Sequence, residues 1–326
     1  MSGRPSCVLV AGAGGVLGRL VVDELIKRGH RVRAIVRRPA GAAALRHDER
    51  VEVRIADTSR PGAWTGVCNG VDRVFSSIGA SVNPSPLVGW KTYTRVDAPV
   101  NIALIEEARR AGVKRFVYVS LIHGDTSRRL DYSEGHERVV DALRKAAPAA
   151  TVLRPTGFFA AMGEIQDLAK RWRVVPVFGD GNARTNPIHE ADLAAAAADA
   201  LADDAAGLRE VPLGGPDVFT RRQVVELAFQ AIGRPPRIIH SPAWMARAGA
   251  LPMGLLNPRA AHFLRFAAHV MTHECVAPAI GTRRLEEYFR QRAARRAIGE
   301  LVMGSVKSPL ESSDSPEHRT LPENRP

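Results

Sequence analysis

The sequence predicts an α/β protein: a doubly wound parallel sheet followed by a small, mainly helical C-terminal lobe. Three observations lead there. An apolar run, Val8-Leu9-Val10-Ala11, enters the glycine-rich turn Gly12-Ala13-Gly14-Gly15 and then Val16-Leu17-Gly18 at the start of a helical pattern. Strand-like and helix-like periods then alternate to about residue 208, and beyond that a short strand gives way to helices. In the turn, Gly12 can take the backbone angles of a tight bend, Gly15 lets the main chain approach a pyrophosphate, and Gly18 lets the helix pack on the strand. A helix beginning near Gly15 directs free N–H groups and its positive dipole end at phosphates, so residues 12 and 14–18 are the candidate dinucleotide contacts.

Each element follows from its pattern. Val16, Leu17, Leu20, Val21, Leu25 and Ile26 recur at helical spacing, Gly29 stops the helix, and Arg31–Val36 reads as the second strand. Val51–Ile55 is a further strand. Residues 71–78 form a strand, 96–111 a helix, 115–120 a strand and 132–145 a helix. Residues 151–153 form the next strand, ended by Arg154-Pro155, and Thr156-Gly157-Phe158-Phe159 reads as a loop beside the expected ligand crevice. Asp180-Gly181-Asn182 signals a turn, and residues 190–201 an alanine-rich helix with an acidic start. A strand at 210–213, a helix after the cap residue Thr220, a strand at 237–240 and then helices complete the pattern. The predicted organisation is a dinucleotide-binding domain over 1–208, a lobe over 209–304 integrated with the core, and a disordered tail over 305–326 rich in Ser, Pro, Glu and Arg.

The end of the second strand reaches the adenine ribose and selects between dinucleotides. Here it carries Arg37-Arg38. An acidic residue would accept hydrogen bonds from a free 2′-hydroxyl, whereas guanidinium groups suit a 2′-phosphate, so the pattern favours NADP. Two solvated arginines are the plain alternative. Asp57, after the third strand, is placed to approach the adenine edge or to cap its own turn.

Composition narrows the classes. At 326 residues with 45% apolar content the chain can bury a full core, and no apolar run reaches the ~20 residues that span a bilayer. Without a signal-peptide pattern, cytoplasm is the expected location and stable membrane insertion is not expected. Three cysteines without metal spacing argue against a disulfide framework or a zinc site. The net charge of +12 does not name a nucleic-acid partner, because the excess is arginine spread along the chain, with six lysines among 46 basic residues. The densest cluster, Arg283, Arg284, Arg290, Arg292, Arg295 and Arg296, falls on an amphipathic helix with Leu285, Tyr288 and Phe289; an acidic partner or a membrane surface is the alternative for it.

Several segments together resemble the atypical short-chain dehydrogenase/reductases, in the NmrA-like, NAD(P)H-binding branch. They are the glycine loop, Arg37-Arg38-Pro39, residues 71–79, residues 112–120, Leu153-Arg154-Pro155-Thr156-Gly157, and Asn186-Pro187-Ile188-His189 with Asp192-Leu193. The resemblance covers roughly residues 6–215 and implies a Rossmann-type fold with NADP across the carboxyl ends of the strands. Carried over, Gly12, Gly15 and Gly18 hold the pyrophosphate, Arg37 and Arg38 the 2′-phosphate, and Asp57 the adenine. Ser77 and Gly79 lie along the adenosine side, Ser120 and Pro155, Thr156, Gly157 and Phe158 near the nicotinamide. Residues 186–192 help close the site, with a structural role the stronger reading.

Carbonyl reduction needs a proton donor near the substrate oxygen, and the broader superfamily uses a Tyr made more acidic by a Lys four residues later. This chain has Tyr132 and, at that spacing, His136, in a Gly135-His136-Glu137 run where the branch often has Ala-Lys-Glu. An imidazole is mostly neutral at pH 7 and supplies less cationic field than an ammonium. The candidate catalytic residues are Tyr132, His136 and Ser120, with a packing or cofactor-contact role as the alternative for the first two. His123 and His189 read as ordinary hydrogen-bonded histidines, and His240 falls in the C-terminal lobe. His262, His269 and His273 fall along one helix face without a matching carboxylate, so no metal site is assigned. The expected activity is hydride transfer between NADPH and a small carbonyl or activated alkene. The competing expectation is an NADP-binding redox sensor or scaffold that acts on a protein partner.

Overall fold

The computed structural model describes residues 6–46, 48–60, 62–79, 92–146 and 149–306. Seven strands form one sheet in the order β3-β2-β1-β4-β5-β6-β9, comprising β1 (Cys7–Ala11), β2 (Arg31–Val36), β3 (Val51–Ile55), β4 (Arg73–Ser76), β5 (Arg115–Val119), β6 (Ala149–Pro155) and β9 (Gly207–Leu213). Every neighbouring pair is parallel. Parallel strands need crossovers that cover both faces, and the central strands are correspondingly apolar throughout. Val8, Leu9, Val10 and Ala11 are fully buried.

Helices α1 (Val16–Lys27) and α6 (Glu190–Ala202) cover one face, with Val21, Leu25, Leu193 and Ala197 packed on Val8, Val10 and Val117. Helices α3 (Tyr93–Arg110) and α4 (Asp131–Ala146) cover the other, with Leu104, Ile105, Val139 and Leu143 against Leu9, Val74 and Tyr118. The short α2 (Pro39–Ala43) follows β2. The doubly wound α/β fold read from the sequence is thus the fold observed.

Two elements differ in extent from the expectation. The strand expected over 71–78 is confined to residues 73–76, and the chain then leaves the sheet with Ser77 N still donating to Ala11 O at 3.1 Å. The loop expected through Phe159 instead opens α5 (Phe159–Trp172), whose first turn is capped from a distance: Glu190 Oε1 accepts from Ala160 N at 2.9 Å. A cap supplied from thirty residues away leaves no local signature.

Two small sheets join the lobe to this frame. β7 (Val175–Phe178) pairs in parallel with β11 (Ile238–Ser241), and β8 (Arg184–Thr185) pairs antiparallel with β10 (Phe219–Thr220). Thr220 caps α7 (Arg221–Ala231) in a full capping box with Gln223. The boundary expected at 208/209 falls inside β9, the edge strand of the main sheet. Helices α8 (Ala243–Leu256) and α9 (Pro258–Thr272) form the remaining pair, and α10 (Leu285–Val306) lies on α5 and α7 through Leu285 and Phe289. The arginine-rich segment is therefore an amphipathic helix start whose charges are largely paired within the chain. Arg292 grips Asp167 at 2.6 and 2.9 Å, Arg296 reaches the same carboxylate, Arg283 reaches Asp192, and Arg284 reaches Asp217 at 2.9 Å. The predicted tail lies outside the described residues from 307 onward.

Between α4 and β6 sits a buried ion pair. Arg154 donates to Glu137 through two nitrogens at 2.7 and 3.1 Å, to Glu210 through Nε at 2.7 Å and to Leu121 O at 3.0 Å. With Arg154 and Glu137 both buried and bonded in this way, truncating one partner leaves the other charge in the interior, at a cost of roughly 3–5 kcal/mol. Glu137→Ala should therefore lower the urea-unfolding free energy by about that much, while Arg290→Ala, whose exposed partner Glu286 lies 3.7 Å away, should change it by about 0.5 kcal/mol or less.

Candidate functional site

Because all seven strands run the same way, their carboxyl ends share one edge, and the winding reverses between β1 and β4. Ligands of open α/β sheets lie in the crevice that such a reversal creates. The candidate residues occupy this edge in sheet order: Asp57 after β3, Arg37 and Arg38 after β2, the glycine turn after β1, Ser77 and Gly79 after β4, Ser120 after β5, and Pro155 to Phe158 at the end of β6.

The turn is built for close approach. Gly12 has φ +89°, and a Cβ there would lie 3.1 Å from Ser77 Oγ, so the β1 and β4 loops meet at this point. A Cβ on Gly18 would lie 2.2 Å from Gly12 O, which only hydrogen permits. Gly15 is the N-cap of α1 and, lacking a side chain, provides no cap hydrogen bond. The first-turn N–H groups of a helix have no acceptor within it, so Val16, Leu17 and Gly18 present donors to whatever occupies the crevice. Val16 is 61% exposed, an apolar side chain at the mouth of this site.

Gly14 faces Val36, whose Cγ1 would lie 3.7 Å from a Cβ at that position, with Gly41 beside it. Arg37 and Arg38 come directly after Val36, both exposed, and neither side chain bonds to a described residue. Asp57 turns inward on its own loop: Oδ1 accepts from Ser59 Oγ at 2.6 Å and Oδ2 from Arg60 Nε at 3.2 Å, and the Ser59 bonds hold its carboxyl below the usual range. It therefore caps its own turn.

The β4 loop is held by a residue the sequence reading passed over. Asn101 on α3 is fully buried; its amide donates to Ile78 O at 3.1 Å and to Asp97 O at 2.8 Å, and its carbonyl accepts from Ser76 Oγ at 2.6 Å. Asp97 and Asn101, two polar side chains one turn apart on an otherwise apolar face, are the signal that could have revealed it.

At the end of β5, Ser120 is 5% exposed and its hydroxyl has no hydrogen-bond partner among the described residues. Thr156 has a structural bond, its hydroxyl donating to Asn186 O at 2.6 Å. Gly157 has φ +151° and its carbonyl accepts from Ile188 N at 2.8 Å, and Phe158 bridges to Ile188. Residues 186–192 stitch the lobe to the sheet: Asn186 binds Gly215 O, Ala277 O and Ala277 N, and Asp192 Oδ2 accepts from Thr282 N and Arg283 N at 3.0 Å each. His189 caps α6 through Nδ1, taking Ala191 N at 3.0 Å.

Tyr132 and His136 lie one turn apart on α4 with ring centroids 4.9 Å apart. Tyr132 is wedged among Tyr93 at 4.9 Å, edge-on, and Phe266 of α9 at 4.4 Å. Burial pushes its phenol pKa upward, with Asp97 adding to the effect. His136 Nδ1 shares a 2.7 Å hydrogen bond with Tyr118 Oη, and burial, reinforced by Arg154, lowers its pKa from 6.5 to about 4. The imidazole is neutral at physiological pH, so the group at the usual lysine position supplies no cationic field and Tyr132 remains a firmly protonated phenol.

Of the other histidines, His269 and His273 stack at 3.9 Å on α9 and its C-cap, and His240 bonds Gly179 O and Arg222. Among the described residues no His, Cys, Asp or Glu group is arranged to hold a metal, and no helix is long and apolar enough to cross a membrane.

Comparison with known proteins gives concordant matches. A family model described as NAD(P)H-binding matches residues 12–204. The chain is 32% identical over 254 residues to the chloroplastic divinyl chlorophyllide a 8-vinyl-reductase of Zea mays, covering 72% of this chain and 61% of that protein. It is 31% identical over 250 residues to a ceramide reductase of Caulobacter vibrioides, covering 75% and 76%. The crystal structure of an NADPH-dependent quinone oxidoreductase of Escherichia coli complexed with NADPH superposes with a TM-score of 0.68 at 26% identity, covering 87% of this chain and 99% of that one. The chain spans about three fifths of the length of the plant vinyl reductases it matches.

The buried imidazole makes stability pH-dependent in a definite direction. His136 binds a proton below about 4 in the folded state and near 6.5 when unfolded, so its contribution is complete above pH 6.5 and is lost as pH falls toward 4. The full difference is on the order of 3 kcal/mol. Urea unfolding at pH 7 and pH 4.5 should show a markedly smaller acid loss in His136→Gln than in the wild type; parallel losses would mean the imidazole does not titrate with folding.

Proposed function

The chain belongs to the NAD(P)H-binding family within the atypical short-chain dehydrogenase/reductases, and on that premise we propose that it is an NADPH-dependent oxidoreductase acting on a small carbonyl or activated alkene. The observation that carries this reading is the edge itself: a glycine turn with a capless helix N-terminus, flanked by two unpaired arginines at the end of β2. The cradle fits the group, because a Cβ at Gly18 would collide with the turn and the exposed arginines supply charge for a 2′-phosphate.

NADPH, when bound there, supplies a hydride. Residues 12 and 14–18 hold the pyrophosphate by backbone N–H groups, and Arg37 and Arg38 discriminate the phosphorylated ribose. Ser77 and Gly79, fixed by Asn101, line the adenosine side, while Pro155, Thr156, Gly157 and Phe158 shape the nicotinamide end. Asp57 shapes the adenine edge through its turn. The buried, partnerless Ser120 hydroxyl is suited to donate to a substrate oxygen. Tyr132 retains its proton at neutral pH and serves as the proton source, with His136 orienting α4 through Tyr118 rather than acidifying the phenol. Small-molecule reduction and a cytoplasmic location go with this reading, as do the activities of the vinyl, quinone and ceramide reductases that the chain resembles.

A second reading, an NADP sensor acting on a protein partner, is favoured by one observation: among the described residues no cation acts on Tyr132 to make it a better acid. Two measurements decide. Fluorescence titration should give NADPH affinity at least ~10-fold above NADH, falling to the NADH level in Arg37→Ala/Arg38→Ala. NADPH consumption with quinones, aldehydes and enones should drop by roughly 10²-fold in Tyr132→Phe. Tight NADPH binding with no turnover across that panel would favour the sensor, and binding of neither nucleotide would overturn both readings.

A further inference from the structure

A second concavity lies beside the start of α4, the helix that carries Tyr132. It has a volume of about 550 Å³, within the range of small-molecule pockets, and is bounded by α8, α9 and residues 129–130 ahead of α4. Its lining combines apolar Leu130, Leu251 and Ala268 with three arginines, Arg129, Arg247 and Arg265. On α9, Phe266 touches the Tyr132 ring at 4.4 Å, and its neighbours Arg265 and Ala268 line the concavity.

Many described arginines find carboxylates: Arg28 with Glu24 and Asp199, Arg128 with Asp141, Arg154 with Glu137, Arg292 with Asp167. None of the three around the concavity pairs with a described residue, and no Asp or Glu lines it. The histidine stack of His269 and His273 adds to the same wall. Burial lowers His269 from 6.5 to about 4, and His273, Arg129, Arg247 and His123 push it the same way. Like charges gathered around an apolar hollow repel one another, and the arrangement is relieved by an anion that brings an apolar body with it.

We propose that this concavity binds a free amphiphilic anion, a carboxylate or phosphate monoester on an aliphatic or ring body, with its head among Arg129, Arg247 and Arg265 and its body on the Leu130–Leu251 wall. As the substrate class of the neighbouring site, this assignment rests on the oxidoreductase reading; as a binding site, it stands on its own geometry. The same headgroup chemistry occurs on lipid surfaces, which the exposed Leu255 and Leu256 of α8 could meet, so the test separates the two sources.

Calorimetric titration with decanoate below its micellar concentration, with uncharged decanol, and with vesicles of phosphatidylcholine containing phosphatidylglycerol makes the distinction. Decanoate should bind the wild type and lose at least ~10-fold in affinity in Arg247→Gln/Arg265→Gln, with decanol affinity and NADPH affinity unchanged. In the decanoate complex, His269 should titrate above its free value of about 4 by NMR, because a nearby carboxylate favours the imidazolium. Equal binding of decanoate and decanol, or decanoate binding that survives the double substitution, overturns the proposal. Binding to anionic vesicles alone, lost in the double variant, also overturns it and assigns the arginines to a lipid surface. Decanoate binding as expected in a protein that binds no nicotinamide nucleotide keeps the anion site and removes its role as substrate site.

Discussion

Strand direction is the constraint on which the molecule depends. Seven parallel strands place every following loop on one edge, and the reversal of winding between β1 and β4 opens that edge at a single place. The approach of Gly18 to Gly12 O then sets how closely α1 can follow β1, and so where its N-terminal donors point. A side chain at that contact would move the helix, and the arginines after β2 would no longer flank the same crevice.

What was legible in the chain was local. The glycine turn, the strands on either side of it and the basic end of β2 are each written in fewer than ten consecutive residues, and the structure places them side by side. The start of α5 was not legible, because its cap comes from Glu190, nor was the role of Asn101, whose partners lie on β4 and in its loop. Glu137 and Arg154 stood in recognised segments, yet their pairing is a tertiary fact. His136 is the sharpest case: its residue type suggested a weak cation, and only burial and the Tyr118 bond reveal a neutral ring.

The excess of positive charge divides in the same way. Composition gives a net +12, and because the ion pairs that fasten α10 to α5 and the lobe to α6 are each neutral, that excess rests on the basic groups outside such pairs. Among the described residues, the arginines without a carboxylate partner include those at the end of β2 and those around the α8–α9 concavity. Charge therefore informs function here only after the pairs have been subtracted, which no count over the sequence can do.

Asn186 and Asp192 have a dynamic consequence. Between them they take backbone groups of Gly215, Ala277, Thr282 and Arg283, so the lobe is sewn to the sheet along a seam. Swinging the lobe open as a hinged jaw would break that seam as a whole. The motions that spare the seam are excursions of individual loops. Such motions are smaller than domain closure, and they make the rate of exchange a property of a few side chains at the mouth rather than of the whole fold.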